Sequence, residues 1–229
     1  MHSGFSPSPL SALFYNNAMQ KRSIFIKLIF AGFVLFTANN ALGYILGGKV
    51  KTLTIQVQAL ETLLGEMAWV SPQISDTRAL YKISFRTCPS CIVYHQTEFP
   101  KLQDLGVDTR LFMFARNTPR TKPQERTVVA ELYKNRDWKL AQDWFAHKSP
   151  HKFYAHMPDI ITADNNPERT ALIKNGQRQI MELSYILKAN QIELATPALI
   201  WQNKSGEWRV AIGNSKRSNA VIRKELSET

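Results

Sequence analysis

The chain has 229 residues, 44% of them hydrophobic, with 29 Lys and Arg against 18 Asp and Glu, for a formal net charge of +11. That length accommodates one good-sized domain with appendages and is long enough to bury a core. Two cysteines exclude both a disulfide-built scaffold and a four-cysteine zinc site, and with no basic run interleaved with aromatics, nucleic acid is not an expected partner.

Residues 1–23 read as a tail whose first 20 positions are rich in Ser, Pro and Asn and lack Lys and Arg. Lys21, Arg22 and Lys27 then precede Leu28–Gly48, 21 residues without a charge. About 20 such residues cross a bilayer as a helix, so a single transmembrane anchor is expected over residues 24–48. A cleaved signal is the competing reading, because Ala41-Leu42-Gly43 offers a small-x-small site. Three positive side chains before the span against Lys49 and Lys51 after it place the tail in the cytoplasm and the bulk of the chain outside.

Leu46, Val50, Leu53, Val57, Leu60, Leu64 and Met67 follow at alternating spacings of four and three, the pattern of a coiled-coil seam. Residues 49–71 are therefore expected as a juxtamembrane helical stalk. It either pairs two chains through residues 46–67 or packs as an amphipathic helix on its own domain. Ser71-Pro72-Gln73 marks the boundary, and residues 72–229 form the domain itself.

Leu80–Phe85 reads as a strand leading into Arg86-Thr87-Cys88-Pro89-Ser90-Cys91, which holds both cysteines at C-x-x-C spacing. A helix is expected to start there, with Pro89 in its first turn, where a missing N–H costs nothing. At that helix start, unpaired N–H groups and the helix dipole favour a thiolate on Cys88. Cys91, one turn on, is placed to attack a mixed disulfide on Cys88. Pro100 should kink or end the helix. Arg110–Ala115 reads as a buried strand, completing a strand–helix–strand unit.

Residues 117–192 read as a helical insertion, with a helix over Pro123–His147 and another opening at Pro167. A strand follows over Ala195–Trp201, then a turn at Asn203–Gly206, a returning strand over Glu207–Gly213 and a closing helix over Ser218–Glu228.

A C-x-x-C after a strand, together with Thr196-Pro197 opening a later strand that leads to a hairpin and a final helix, resembles the thioredoxin fold. Ser84–Cys91 followed by Tyr94-His95-Gln96, together with Thr196-Pro197-Ala198, is similar to the periplasmic disulfide isomerases of the DsbC and DsbG type. The resemblance covers about residues 72–229. It implies an α/β thioredoxin fold with a helical insertion, on the periplasmic side of a bacterial inner membrane. It implies Cys88 as nucleophile, Cys91 as resolving thiol, and Pro197 in cis with Thr196 beside it as a substrate-binding edge. Many thioredoxins carry an acid six residues before the first cysteine, where this chain has Lys82, and the separate dimerisation domain of the isomerases is not seen. The implied partners are cysteine-containing envelope proteins and a membrane redox partner, with no cofactor.

Arg86 and His95 are the possible modulators of the cysteine pKa. Arg86 is otherwise a solvated arginine at a strand end, and His95 a packed, hydrogen-bonded histidine, with a proton shuttle as the competing reading. Lys82 is expected to face outward from its strand, or, if desolvated near the thiols, to be a base candidate. Trp138 and Trp144 are expected in the core, with the rim of a substrate groove as the alternative. His147, His151 and His156 match no tight metal spacing, and no metal is expected. The activity expected is thiol–disulfide exchange of isomerase or reductase type. A dithiol oxidase is the alternative, and so is a metal-delivery module, whose C-x-x-x-C pair and methionine clusters are not found here.

Overall fold

A computed structural model describes residues 48–116, 121–149, 152, 153, 157 and 162–228. The tail and anchor expected over residues 1–48 lie outside them, apart from Gly48. No helix among the described residues is long and apolar enough to cross a membrane.

Five strands form one sheet: β1 (Lys51–Thr52), β2 (Ala79–Ser84), β3 (Asp108–Met113), β4 (Ala198–Gln202) and β5 (Trp208–Ile212), in the order β1-β5-β4-β2-β3. β2 runs parallel to β3, with Ile83 opposite Phe112, and antiparallel to β4, with Lys82 opposite Leu199. The β4–β5 hairpin turns at Asn203–Gly206, where the Asn203 carbonyl accepts from the Gly206 N–H. Gly206 has φ +78°, a conformation that favours glycine.

The helices are α1 (Val57–Glu66), α2 (Pro89–Thr97), α3 (Phe99–Asp104), α4 (Pro123–Asn135), α5 (Trp138–Ala146), α6 (Pro167–Ala189) and α7 (Lys216–Ser227). Pro100 separates α2 from α3, as its missing N–H requires. The single helix expected over Pro123–His147 is two helices, because Arg136 turns left-handed (φ 54°) and Asp137 then caps α5 through the Leu140 N–H. α4 and α6 approach closely at Gly176, where a Cβ would lie 2.3 Å from the Tyr133 hydroxyl.

The stalk expected over residues 49–71 is not a continuous helix. Lys51–Thr52 instead pairs with β5 at the sheet edge. Gln56 adopts φ 59°, and Asn190 Oδ1 accepts from the N–H groups of Thr54 and Ile55. The helix that follows is ten residues long. Leu53, Leu60, Leu64 and Met67 from the expected seam, together with Leu63, are buried in the core of their own domain. A leucine buried in this way stabilises by about 1.5–3 kcal/mol, so these residues hold the helix to its own domain, while Val50 and Val57 of the expected seam are only partly buried.

Candidate active site

β2 points its C-terminal end at Phe85–Thr87, and Cys88 is the N-cap of α2. The cysteine pair is therefore placed by a strand end and a helix start. Cys88 and Cys91 are joined by a disulfide, their Cα atoms 5.2 Å apart. The Cys91 N–H donates to Cys88 Sγ at 3.2 Å, and the Thr196 hydroxyl donates to the same sulfur at 3.5 Å. The Thr196 carbonyl oxygen lies 3.6 Å from it. Both donors, with the helix dipole behind them, would hold negative charge on Cys88. Cys88 retains 5% of its surface exposed and Cys91 none, so only the first sulfur is open to a partner.

The Thr196–Pro197 peptide is cis. The Pro197 carbonyl accepts from the Gly213 N–H at 2.8 Å, which fixes this loop to the end of β5. Cys88, Cys91, Thr196 and Pro197 thus meet at one place, although 108 residues separate Cys88 from Thr196.

Arg86 is not a solvated strand-end arginine. It is buried, and its guanidinium donates to the carbonyls of Trp144 at 2.9 Å and His147 at 2.7 Å. It closes the C-terminal end of α5, whose last carbonyls lack partners within the helix. Burial pulls its pKa down, against the opposing field of Glu125. His95 is packed, as expected, stacking on Phe145 at 4.2 Å and 14°. Its Nδ1 is buried without a hydrogen-bond partner, contrary to the expected hydrogen-bonded histidine. Burial first, then Lys82 and Arg86, lower its pKa to about 2, which favours the neutral ring.

Lys82 does not face outward. It is among the largest fully buried side chains, and its Nζ donates to the Cys91 carbonyl at 2.8 Å. The central position of β2 explains the difference: both faces of that strand are covered, so alternation with apolar neighbours does not point a residue to solvent. The residue that periodicity assigns to the surface lies beneath the resolving cysteine. The signal in the sequence was a lysine in a strand that leads directly into the C-x-x-C. The Thr196 hydroxyl carries no signal of its own in the sequence, because its contact with Cys88 Sγ is made across 108 residues by the fold.

Trp144 is fully buried, and Trp138 packs against His95 and Phe99. His147 Nδ1 accepts from the Ser149 N–H. His151 and His156 lie outside the described residues, among which no group of three His, Cys, Asp or Glu could hold a metal.

Neither a protein-family model nor a curated protein matches the sequence. Solved structures do. The catalytic domain of Proteus mirabilis ScsC superposes with a TM-score of 0.56 at 12% identity, covering 78% of this chain and 100% of that one. A periplasmic thioredoxin-like protein from Salmonella enterica serovar Typhimurium gives 0.53 at 11% identity, covering 77% and 99%. The thiol-disulfide exchange protein alpha-DsbA2 from Wolbachia pipientis gives 0.52 at 11%, covering 76% and 93%. The chain has a thioredoxin-like fold. At these identities the likeness concerns the fold; the chemistry is argued from the residues around Cys88.

Proposed function

We propose that this chain is a thiol-disulfide oxidoreductase of the bacterial envelope, working through Cys88 and Cys91. The observation that carries the reading is Cys88 Sγ at a helix N-cap, 3.5 Å from the Thr196 hydroxyl and beside the cis Thr196–Pro197 peptide. Cys88 attacks a substrate disulfide as the thiolate, and the resulting mixed disulfide is broken by Cys91. A substrate strand pairing with the backbone at Thr196 would bring its cysteine to Cys88. The periplasmic and thiol-exchange neighbours support this reading. Its partners are cysteine-containing envelope proteins and a membrane redox protein, with residues 24–48 anchoring the domain on the periplasmic side of the inner membrane.

Within that class the motifs around Cys88 and Thr196–Pro197 favour isomerase or reductase work. A second reading, dithiol oxidase, is favoured by the donors on Cys88 Sγ: groups that hold the thiolate stabilise the reduced pair and make its disulfide a stronger oxidant. The redox state of the pair in cells separates the two. A reduced pair supports isomerase or reductase, and an oxidised pair supports oxidase.

The class itself is tested with insulin reduction and scrambled-ribonuclease assays. Wild-type protein should be active and Cys88→Ser inactive. Cys91→Ser should accumulate mixed disulfides with envelope proteins while Cys88→Ser accumulates almost none. An active Cys88→Ser variant, or trapping by that variant alone, overturns the assignment.

A further inference from the structure

A lysine in the interior is costly as a cation unless something pairs with it. Lys82 is fully buried. Its Nζ lies 4.8 Å from the ring centroid of Phe99, 5.0 Å from that of Phe145 and 5.6 Å from that of Tyr94. Its neighbours across the sheet, Leu111 on β3 and Leu199 on β4, are apolar. Among the described residues no carboxylate forms an ion pair with it.

The titratable and charged groups around it do not supply a counterion. Tyr94 and His95 come from α2, and both are kept neutral by burial. Arg86, the nearby guanidinium, brings a positive charge to this interior and no counterion. Glu98, at the start of α3, is already held by Lys101 and Arg223. Burial therefore moves Lys82 well below its ordinary pKa and leaves a lone pair on Nζ.

Cys91 has the complementary need. It has no exposed surface, burial disfavours its thiolate, and solvent bases do not reach it. Nζ is hydrogen-bonded to the carbonyl of this same residue. We infer that the Lys82 amine takes the proton from Cys91 when that thiol resolves a mixed disulfide, an inference that rests on the exchange function proposed above.

The step balances within the protein. Cys91 S–H gives its proton to Nζ, and the thiolate attacks Cys88 Sγ. The Cys88–Cys91 bond forms as the bond from Cys88 to the substrate sulfur breaks, and the electron pair leaves with the substrate thiolate. The Lys82 ammonium then returns the proton to the departing thiolate or to water. The pair is oxidised and the substrate sulfur reduced.

The test uses the full-length reduced protein with an aromatic disulfide that releases a coloured thiolate. One equivalent appears when Cys88 attacks, and a second when Cys91 resolves the adduct. In Lys82→Met the first phase should keep its rate within about twofold. The second should slow by about 10²-fold at pH 7, as expected for loss of a general base, and the gap should narrow towards pH 9.5, where hydroxide substitutes. Lys82→Glu, which restores a base, should recover part of the rate, whereas Lys82→Arg should not. Lys82→Met should also unfold at a higher temperature. The unfolded chain protonates this lysine below its free pKa near 10.4, so stability falls with falling pH through this group, and the variant loses that penalty.

A Lys82→Met second phase as fast as wild type at pH 7 overturns the inference and leaves the exchange function standing. A wild-type protein that releases no second equivalent overturns both. Should the variants fail to fold, the Nζ nitrogen of the wild type is titrated by NMR: a neutral amine at pH 8 supports the assignment, and an ammonium persisting above pH 9 overturns it.

Discussion

His95 shows how a single residue's burial sets its chemistry. With one face against Phe145 and Nδ1 unpartnered, it resists protonation until about pH 2, against about 6.5 when unfolded. The folded pKa is depressed, so the unfolded chain binds the extra proton. The stability contributed by this group is complete above about pH 6.5 and is lost as pH falls towards 2, at up to about 1.4 kcal/mol per pH unit. Urea unfolding between pH 6.5 and pH 4 should therefore show a shallower acid decline in His95→Phe than in the wild type. The pH profile of exchange should carry no inflection removed by that variant. An inflection near pH 6 that disappears in His95→Phe would restore the histidine as a proton carrier.

At the scale of elements, the cysteine helix is held from two directions. Its N-cap is Cys88 itself, and serine is an effective cap, so the inactive Cys88→Ser variant should fold. Behind it, Arg86 ties the strand end to α5 by donating to the Trp144, Phe145 and His147 carbonyls. Arg86→Met should remove those bonds and cost about 3 kcal/mol, since each buried acceptor left without a donor costs about 1–3 kcal/mol. Chemical unfolding measures this. Alkylation of Cys88 against pH, measured on the folded variant, separates the structural role from an electrostatic one. A pKa unchanged within about half a unit assigns Arg86 to the frame, and a rise of about one unit or more returns it to the set of thiol modulators.

Across the whole molecule, Gly47–Thr229 forms one compact unit, and α1 belongs to it through Leu60, Leu63 and Leu64. Trp208 on β5 donates to Glu61 at 2.9 Å, and Gln179 on α6 donates to the Glu66 carbonyl. A chain beginning at Gly48 should thus be soluble, fold with a midpoint independent of protein concentration, and retain exchange activity. The full chain should sediment with membranes. A soluble mature protein beginning near Tyr44 would identify residues 24–48 as a cleaved signal, and a concentration-dependent midpoint would show that chains pair despite the buried seam. The features legible in the chain alone are local: the C-x-x-C at a strand–helix junction, the Thr196-Pro197 start of β4, the hairpin at Asn203–Gly206, and the proline-marked openings of α4 and α6. Capping, turn chemistry and proline's fixed geometry act within a few residues of the side chain that carries them. The surface that covers each apolar face is set by long-range packing. The four-and-three spacing of residues 46–67 fits a pairing seam as well as a helix packed at home, because periodicity names a face and not its occupant. Lys82 alternates with apolar neighbours as an outward residue would. It is the layers packed on both sides of β2 that remove it from water and set its amine against Cys91.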